Sequence, residues 1–142
     1  MTYLLDTDHL SILQRQTGRD FDNLLTRMSL YPMSDFAVSV VTLHEQILGC
    51  HAFINKAQST ESVAKGYAMM MRLVNSLGLL PLIPFDTIAA ATLDRLETQR
   101  LQLAKMDARI AAIALARGLT LLTRNQKDFC KVAGLAIEDW TL

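Results

Sequence analysis

Short apolar runs, each too brief for a helix, alternate along this chain with longer stretches that carry apolar residues at helical spacing. Tyr3-Leu4-Leu5, Phe36 to Val41, Leu79 to Phe85, Leu119 to Thr123 and Leu135 to Ile137 are the strand candidates. Helical patterns fill residues 20–30, 42–56, 59–77, 86–101 and 107–118, with a helical turn or two over 126–132. Pro32 closes the first of these and Gly118 the last full helix. Pro81 and Pro84 confine the third strand to a sheet edge. Strands joined through helices pair in parallel and need helices on both faces. The expected architecture is therefore α/β, a three-layer αβα sandwich around a mostly parallel sheet of about five short strands.

The 142 residues suit one domain, 1–142, and no linker, repeat or low-complexity tract divides them. Asp6 interrupts what would have to be the apolar heart of a signal peptide. The longest unbroken apolar run, Ile110 to Ala116, is far below the ~20 residues a membrane span needs. Cys50 and Cys130 lack the spacing of a zinc site or a disulfide framework, and a cytoplasmic location is expected. Lys plus Arg and Asp plus Glu both number 14, so the chain has no overall excess of cations for binding nucleic acid. Any such role must rest on a local patch, bound metal ions or a second subunit.

Open parallel sheets bind their ligands beyond the carboxyl ends of the strands. Asp6 directly follows the first strand, Glu45 lies in the first turn of the helix after the second, and Asn125 and Asp128 follow the strand ending at Thr123. Asp107 opens the helix that feeds that strand. Asp107 shares a helix face with Ile110, Ala111 and Ala114, and Glu45 shares one with Leu48, Gly49 and Ala52, which places both on apolar stripes. Carboxylates on such stripes are rare unless paired or bound to metal. Each has a purely structural alternative: Thr42 and Glu45 form a capping box, Asp107 serves as an N-cap, and Asp128 is a solvated surface charge. Several carboxylates in one hollow repel one another and call for a cation. An oxygen-only set made of Asp6, Glu45, Asp107 and Asp128 suits Mg²⁺ or Mn²⁺. Arg109, Arg124 and Lys127 are close in sequence to these positions and are candidate contacts to RNA phosphates. His44, Cys50 and His51 lack a fourth zinc ligand, and His9 is expected at the surface. The Val63, Tyr67, Met70, Val74, Leu77 stripe is expected to be mostly core.

Leu4-Leu5-Asp6-Thr7-Asp8, Glu45, Asp107-x-x-Ile110-Ala111-Ala112 and Thr123-Arg124-Asn125-Gln126-Lys127-Asp128-Phe129 together resemble the PIN-domain family, above all the VapC-type toxins of prokaryotic toxin–antitoxin pairs. The resemblance implies a Mg²⁺- or Mn²⁺-dependent endoribonuclease, a homodimer, and an antitoxin protein that silences it. Asp6, Glu45 and Asp107 match the three core acids. The fourth position is open, because Asn125 stands where many relatives carry Asp and Asp128 lies one helical step further on. Ala104 replaces a glycine common before the third acid, and Asp8 replaces the usual Asn or Ser. The exposed remainder of the 63–77 stripe, with Met69, Met70 and Met71, would meet an antitoxin helix.

Two alternatives use the same residues. A degenerate PIN fold would bind RNA or a partner without cutting, a reading favoured by Asn125 and the neutral charge. Asp6-Thr7-Asp8 also matches the opening of haloacid-dehalogenase-like phosphatases, although Leu10 stands where that motif has Thr or Val and no later Lys and acidic pair completes it.

Overall fold

A computed structural model describes all 142 residues. The five strand candidates form one sheet in the order β3-β2-β1-β4-β5, every pair parallel. The strands are β1 (Tyr3–Leu5), β2 (Phe36–Ser39), β3 (Leu82–Ile83), β4 (Thr120–Leu122) and β5 (Ile137–Glu138). The helices are α1 (Thr7–Arg15), α2 (Arg19–Met28), α3 (Val40–Lys56), α4 (Thr60–Ser76), α5 (Thr87–Thr98), α6 (Lys105–Arg117) and α7 (Gln126–Phe129). As the two prolines require, β3 is an edge strand.

Strand alternation divides the core in two. Leu4, Ala37 and Leu121 join the larger cluster, which α5, α6 and α7 supply with Ala89, Leu96, Ile110, Ala111 and Phe129. Leu5, Val38 and Leu122 point to the other face and meet Ile12, Leu24, Met28 and Trp140. That division is the three-layer sandwich. Five consecutive residues of α6, Ile110 to Ala114, are buried. Three of them are alanines, whose small side chains let the helix lie close between the sheet and α5. Gly118, at φ 64, ends α6 in a left-handed turn and returns its amide to Ala114 and Leu115.

The boundaries depart from expectation in ways that matter for the site. Helix α1 is not legible in the sequence pattern; Asp6 caps it, its carboxylate accepting from the Thr7 amide at 2.8 Å. Strand β2 stops at Ser39, not Val41, and α3 begins at once. Ser39, not Thr42, is the N-cap, its hydroxyl accepting from the Thr42 amide at 3.1 Å. Val41 is buried in the larger core, and this tertiary contact overrides the strand preference of the Val40-Val41 pair. Glu45 is thereby moved into the second turn of α3, and no capping box with Thr42 forms. The stripe assigned to Glu45 is corrected too: Leu48, Gly49 and Ala52 are exposed, while Val41, Thr42 and Cys50 face inward. In α6, Ala104 is the N-cap and Asp107 lies within the first turn.

Helix α4 overturns its expected core stripe. Tyr67, Val74 and Leu77 are 55%, 53% and 48% exposed, and the buried positions are Gly66 and Leu73. A Cβ at Gly66 would stand 2.5 Å from Ile54 Cγ1, so α4 rests on α3 through the one residue small enough to allow it. His9, expected at the surface, is fully buried.

The capping assignment is open to a stability measurement. Ser39→Ala should lower unfolding stability by about 1 kcal/mol in urea titrations. Glu45→Ala, measured without divalent ions, should shift it by less than about 0.5 kcal/mol. A capping box between Thr42 and Glu45 would give the reverse ranking.

Candidate active site

Because all five strands run the same way, their carboxyl ends share one rim. Strand β1 lies at the centre, so Asp6 emerges between the ends of β2 and β4. The Asp6 amide still donates to Leu122 O at 2.9 Å, continuing the ladder past the strand. Its side chain is held on both oxygens: Oδ1 by the Thr7 amide at 2.8 Å, Oδ2 by the Thr123 hydroxyl at 2.8 Å. Asp6 is only 6% exposed. Burial, then the charge of Asp8, push its carboxyl up to about 7 against the two hydrogen bonds, with Asp107 adding to the rise.

Asp107 occupies the neighbouring position from α6. Burial raises its carboxyl above the ordinary range, followed by the charges of Glu45, Asp128 and Asp8, while a hydrogen bond from Asn125 opposes the rise. The Asn125 amide nitrogen donates to Asp107 Oδ2 at 3.4 Å and to Asp128 Oδ2 at 3.1 Å. Glu45 Oε1 accepts from the Thr7 hydroxyl at 2.7 Å, which ties α3 to the start of α1. Glu45 and Asp107, far apart in sequence, thus lie near enough for the charge of Glu45 to act on Asp107 and that of Asp107 on Asp6.

Asp128 differs from the other acids. Its carboxyl lies below the usual range, first because Asn125 and then Lys131 donate to it, the latter at 3.3 Å. Its charge is already balanced, whereas those of Asp6 and Asp107 are not. No three acidic, imidazole or thiol side chains converge closely enough to make a ready-made metal cage.

The basic candidates also separate. Arg124 pairs with Asp20 of α2 at 3.4 Å, so its guanidinium turns toward that helix. Lys127 is exposed and has no acidic partner. Arg109 touches the Met106 sulfur at 3.6 Å and lines a shallow pocket of about 510 Å³ with Val40, His44, Phe85 and Leu93. Sequence reasoning missed a layer of hydroxyls, Thr7, Thr42 and Thr123, and the imidazole of His9. The visible signal was Thr7 inside the Asp6-Thr7-Asp8 run and Thr123 at a strand end, where a buried hydroxyl needs a partner.

A family model described as PIN domain matches residues 3–135. This chain belongs to the PIN domain family. Solved structures agree over nearly the whole length. VapBC2 from Rickettsia felis, bound to a DNA fragment from its promoter, is 24% identical with a TM-score of 0.74, covering 99% of each chain. FitAcB from Neisseria gonorrhoeae is 25% identical with a TM-score of 0.75, covering 97% of each. A toxin–antitoxin complex from Klebsiella pneumoniae is 27% identical with a TM-score of 0.66, covering 95% of this chain and 96% of the other. No curated protein matches the chain. As a PIN domain, the chain has the architecture expected from its sequence, and the phosphatase alternative has no support. No helix is long and apolar enough to cross a membrane.

The raised carboxyls set a pH dependence. Between the ordinary carboxylate value and about 7, folded Asp6 keeps a proton that the unfolded chain has released, so stability falls as pH rises through that window. The loss is at most about 4 kcal/mol, and Asp107 acts in the same direction. Asp86 and Asp128, shifted downward, are ionised in both states above pH ~5 and do not oppose it. In divalent-free buffer the urea midpoint should be lower at pH 8 than at pH 5. Asp6→Asn should remove most of the difference. A wild-type midpoint that rises from pH 5 to pH 8 would contradict the assignment.

Proposed function

We propose that this PIN domain is a divalent-metal-dependent endoribonuclease of the VapC toxin type. The observation that carries the reading is the unbalanced pair Asp6 and Asp107: two carboxyls at the sheet's carboxyl rim, both raised by burial and by surrounding acids. A divalent cation relieves that repulsion, and every donor there is oxygen, as Mg²⁺ and Mn²⁺ prefer. Asp6, Asp107 and Glu45 would hold the ion. Asn125 would serve as the neutral fourth group, and Asp128, already paired with Lys131, as an outer member.

When bound, the ion lowers the pKa of coordinated water and stabilises charge on the phosphodiester. The chain's own residues supply the rest. The Thr7 amide and Thr123 hydroxyl fix the rotamer of Asp6, and the Thr7 hydroxyl ties Glu45 to the start of α1. Asn125 sets the spacing between Asp107 and Asp128. Lys127 and Arg109, which form no ion pair, are cations that would meet RNA phosphates.

An antitoxin is the proposed partner, supported by the toxin–antitoxin complexes among the structural neighbours. An apolar groove of about 1230 Å³ runs between α1, α2 and α4, lined by Leu10, Leu13, Leu25, Met69, Leu73 and Leu79. It fits the apolar face of an antitoxin helix. A homodimer in the cytoplasm completes the reading.

The test is cleavage of RNA by purified, partner-free protein. Cutting should require Mg²⁺ or Mn²⁺, stop with chelator, and fall on the order of a hundredfold or more in Asp6→Asn and in Asp107→Asn. Folded protein that binds RNA but leaves it intact with either metal would establish the non-cutting alternative instead.

A further inference from the structure

A buried imidazole stands behind the site with both ring nitrogens in use. His9 is fully buried in α1. Its Nε2 accepts from the Trp140 backbone amide at 3.1 Å, which places the ring proton on Nδ1. Nδ1 then donates to Asp8 Oδ1 at 2.8 Å. The other Asp8 oxygen accepts from the Arg124 backbone amide at 3.1 Å. Arg124 lies in the loop between β4 and α7. Its neighbour Asn125 donates from the backbone to Thr123 Oγ1 at 3.0 Å, and that hydroxyl donates to Asp6. The remaining charged group facing the ring, Asp139, is 3.7 Å from Nε2 and accepts from the amide and hydroxyl of Thr141.

From this chain of bonds we infer that His9 is a positioning residue. It fixes the Asp8 carboxylate as a brace between the start of α1 and the β4–α7 loop, and so sets the distance from Asp6 to the Asn125–Asp107 pair. The inference rests on the nuclease reading for its catalytic consequence alone; the brace itself is a property of the fold. Asp8 without its Nδ1 donor is free to rotate toward solvent, since its side chain is 32% exposed. The Arg124 amide then loses its acceptor and the loop its register. Groups that orient metal-site residues in this way typically affect affinity or activity about 10–100-fold.

A merely structural histidine, one that only anchors the segment around Trp140, would use Nε2 and not Nδ1. Two substitutions separate the roles. The amide nitrogen of His9→Asn stands near Nδ1 and keeps the donor to Asp8. The amide oxygen of His9→Gln stands near Nε2 and keeps the acceptor for Trp140. Three readouts apply: RNA cleavage with Mn²⁺, backbone amide exchange over residues 123–125, and emission of Trp140, the chain's one tryptophan. His9→Gln should lower kcat by about 10–100-fold with KM within about twofold, speed exchange at Arg124 and leave the emission unchanged. His9→Asn should restore cleavage to within about threefold of wild type and slow exchange back to the wild-type rate, while shifting the emission. Equal losses in both, greater damage in His9→Asn, or unchanged Arg124 exchange in His9→Gln would overturn the inference. Should His9→Gln fail to fold, Asp8→Ser breaks the same link from the exposed side and must speed exchange at Arg124. Wild-type protein that cuts no RNA would end the nuclease reading, and the exchange and emission comparison would still decide the role of His9.

Discussion

The Asp6 carboxylate answers to two elements at once. It caps α1 through Oδ1 and receives the hydroxyl at the end of β4 through Oδ2, while its own amide extends the central ladder. A carboxylate so placed is held in one rotamer and largely withdrawn from solvent, and that burial is also the source of its cost. Hydrogen bonds to the charged form lower a carboxyl's pKa, yet desolvation and the acids nearby outweigh two such bonds here and carry it to about 7. The fold thus holds a group whose charged form a proton or a cation would relieve at neutral pH.

The surrounding acids differ in how they are satisfied. Asp128 has Lys131 and Asn125; Glu45 has a hydroxyl; Asp107 has one long amide contact and three acidic neighbours. Two unit charges ~4 Å apart at an effective dielectric near 20 repel by about 4 kcal/mol, far more than one neutral hydrogen bond returns. Asp6 and Asp107 are the acids with the least compensated charge, and a divalent ion would be drawn to them in the proposed nuclease. Asn125 in place of an acid reduces the repulsion there and leaves its amide to span Asp107 and Asp128.

Strand identity, edge position and the parallel arrangement were legible because they depend on short apolar runs, prolines and the lengths between them. The placement of Asp6 and Asn125 after neighbouring strands was legible for the same reason, since a parallel sheet gathers its strand ends on one rim. Other features depend on contacts that no local pattern encodes. Helix α1 begins on an Asp that doubles as a site residue, and its few apolar positions did not separate it from a loop. Val40 and Val41 read as strand until the core recruits Val41 into α3. The 63–77 stripe has the periodicity of a buried face, but the α3–α4 contact is made through Gly66, which carries no hydropathic signal. His9 was misplaced because its burial depends on Trp140, a partner distant in sequence that supplies a backbone amide and no side-chain cue.

Net neutrality takes on a specific meaning once the ion pairs are located. Arg124 and Lys131 are each matched to a carboxylate, Asp20 and Asp128, so positive charge near the rim is in part already committed. Lys127 on α7 and Lys105 and Arg109 on α6 carry no ion pair. So few free cations release few counterions, so in the proposed nuclease RNA held through them alone would bind weakly and with a shallow salt dependence. Affinity for a polyanion then has to arise at the acids themselves, through the divalent charge they gather. On that reading binding and catalysis depend on the same ion.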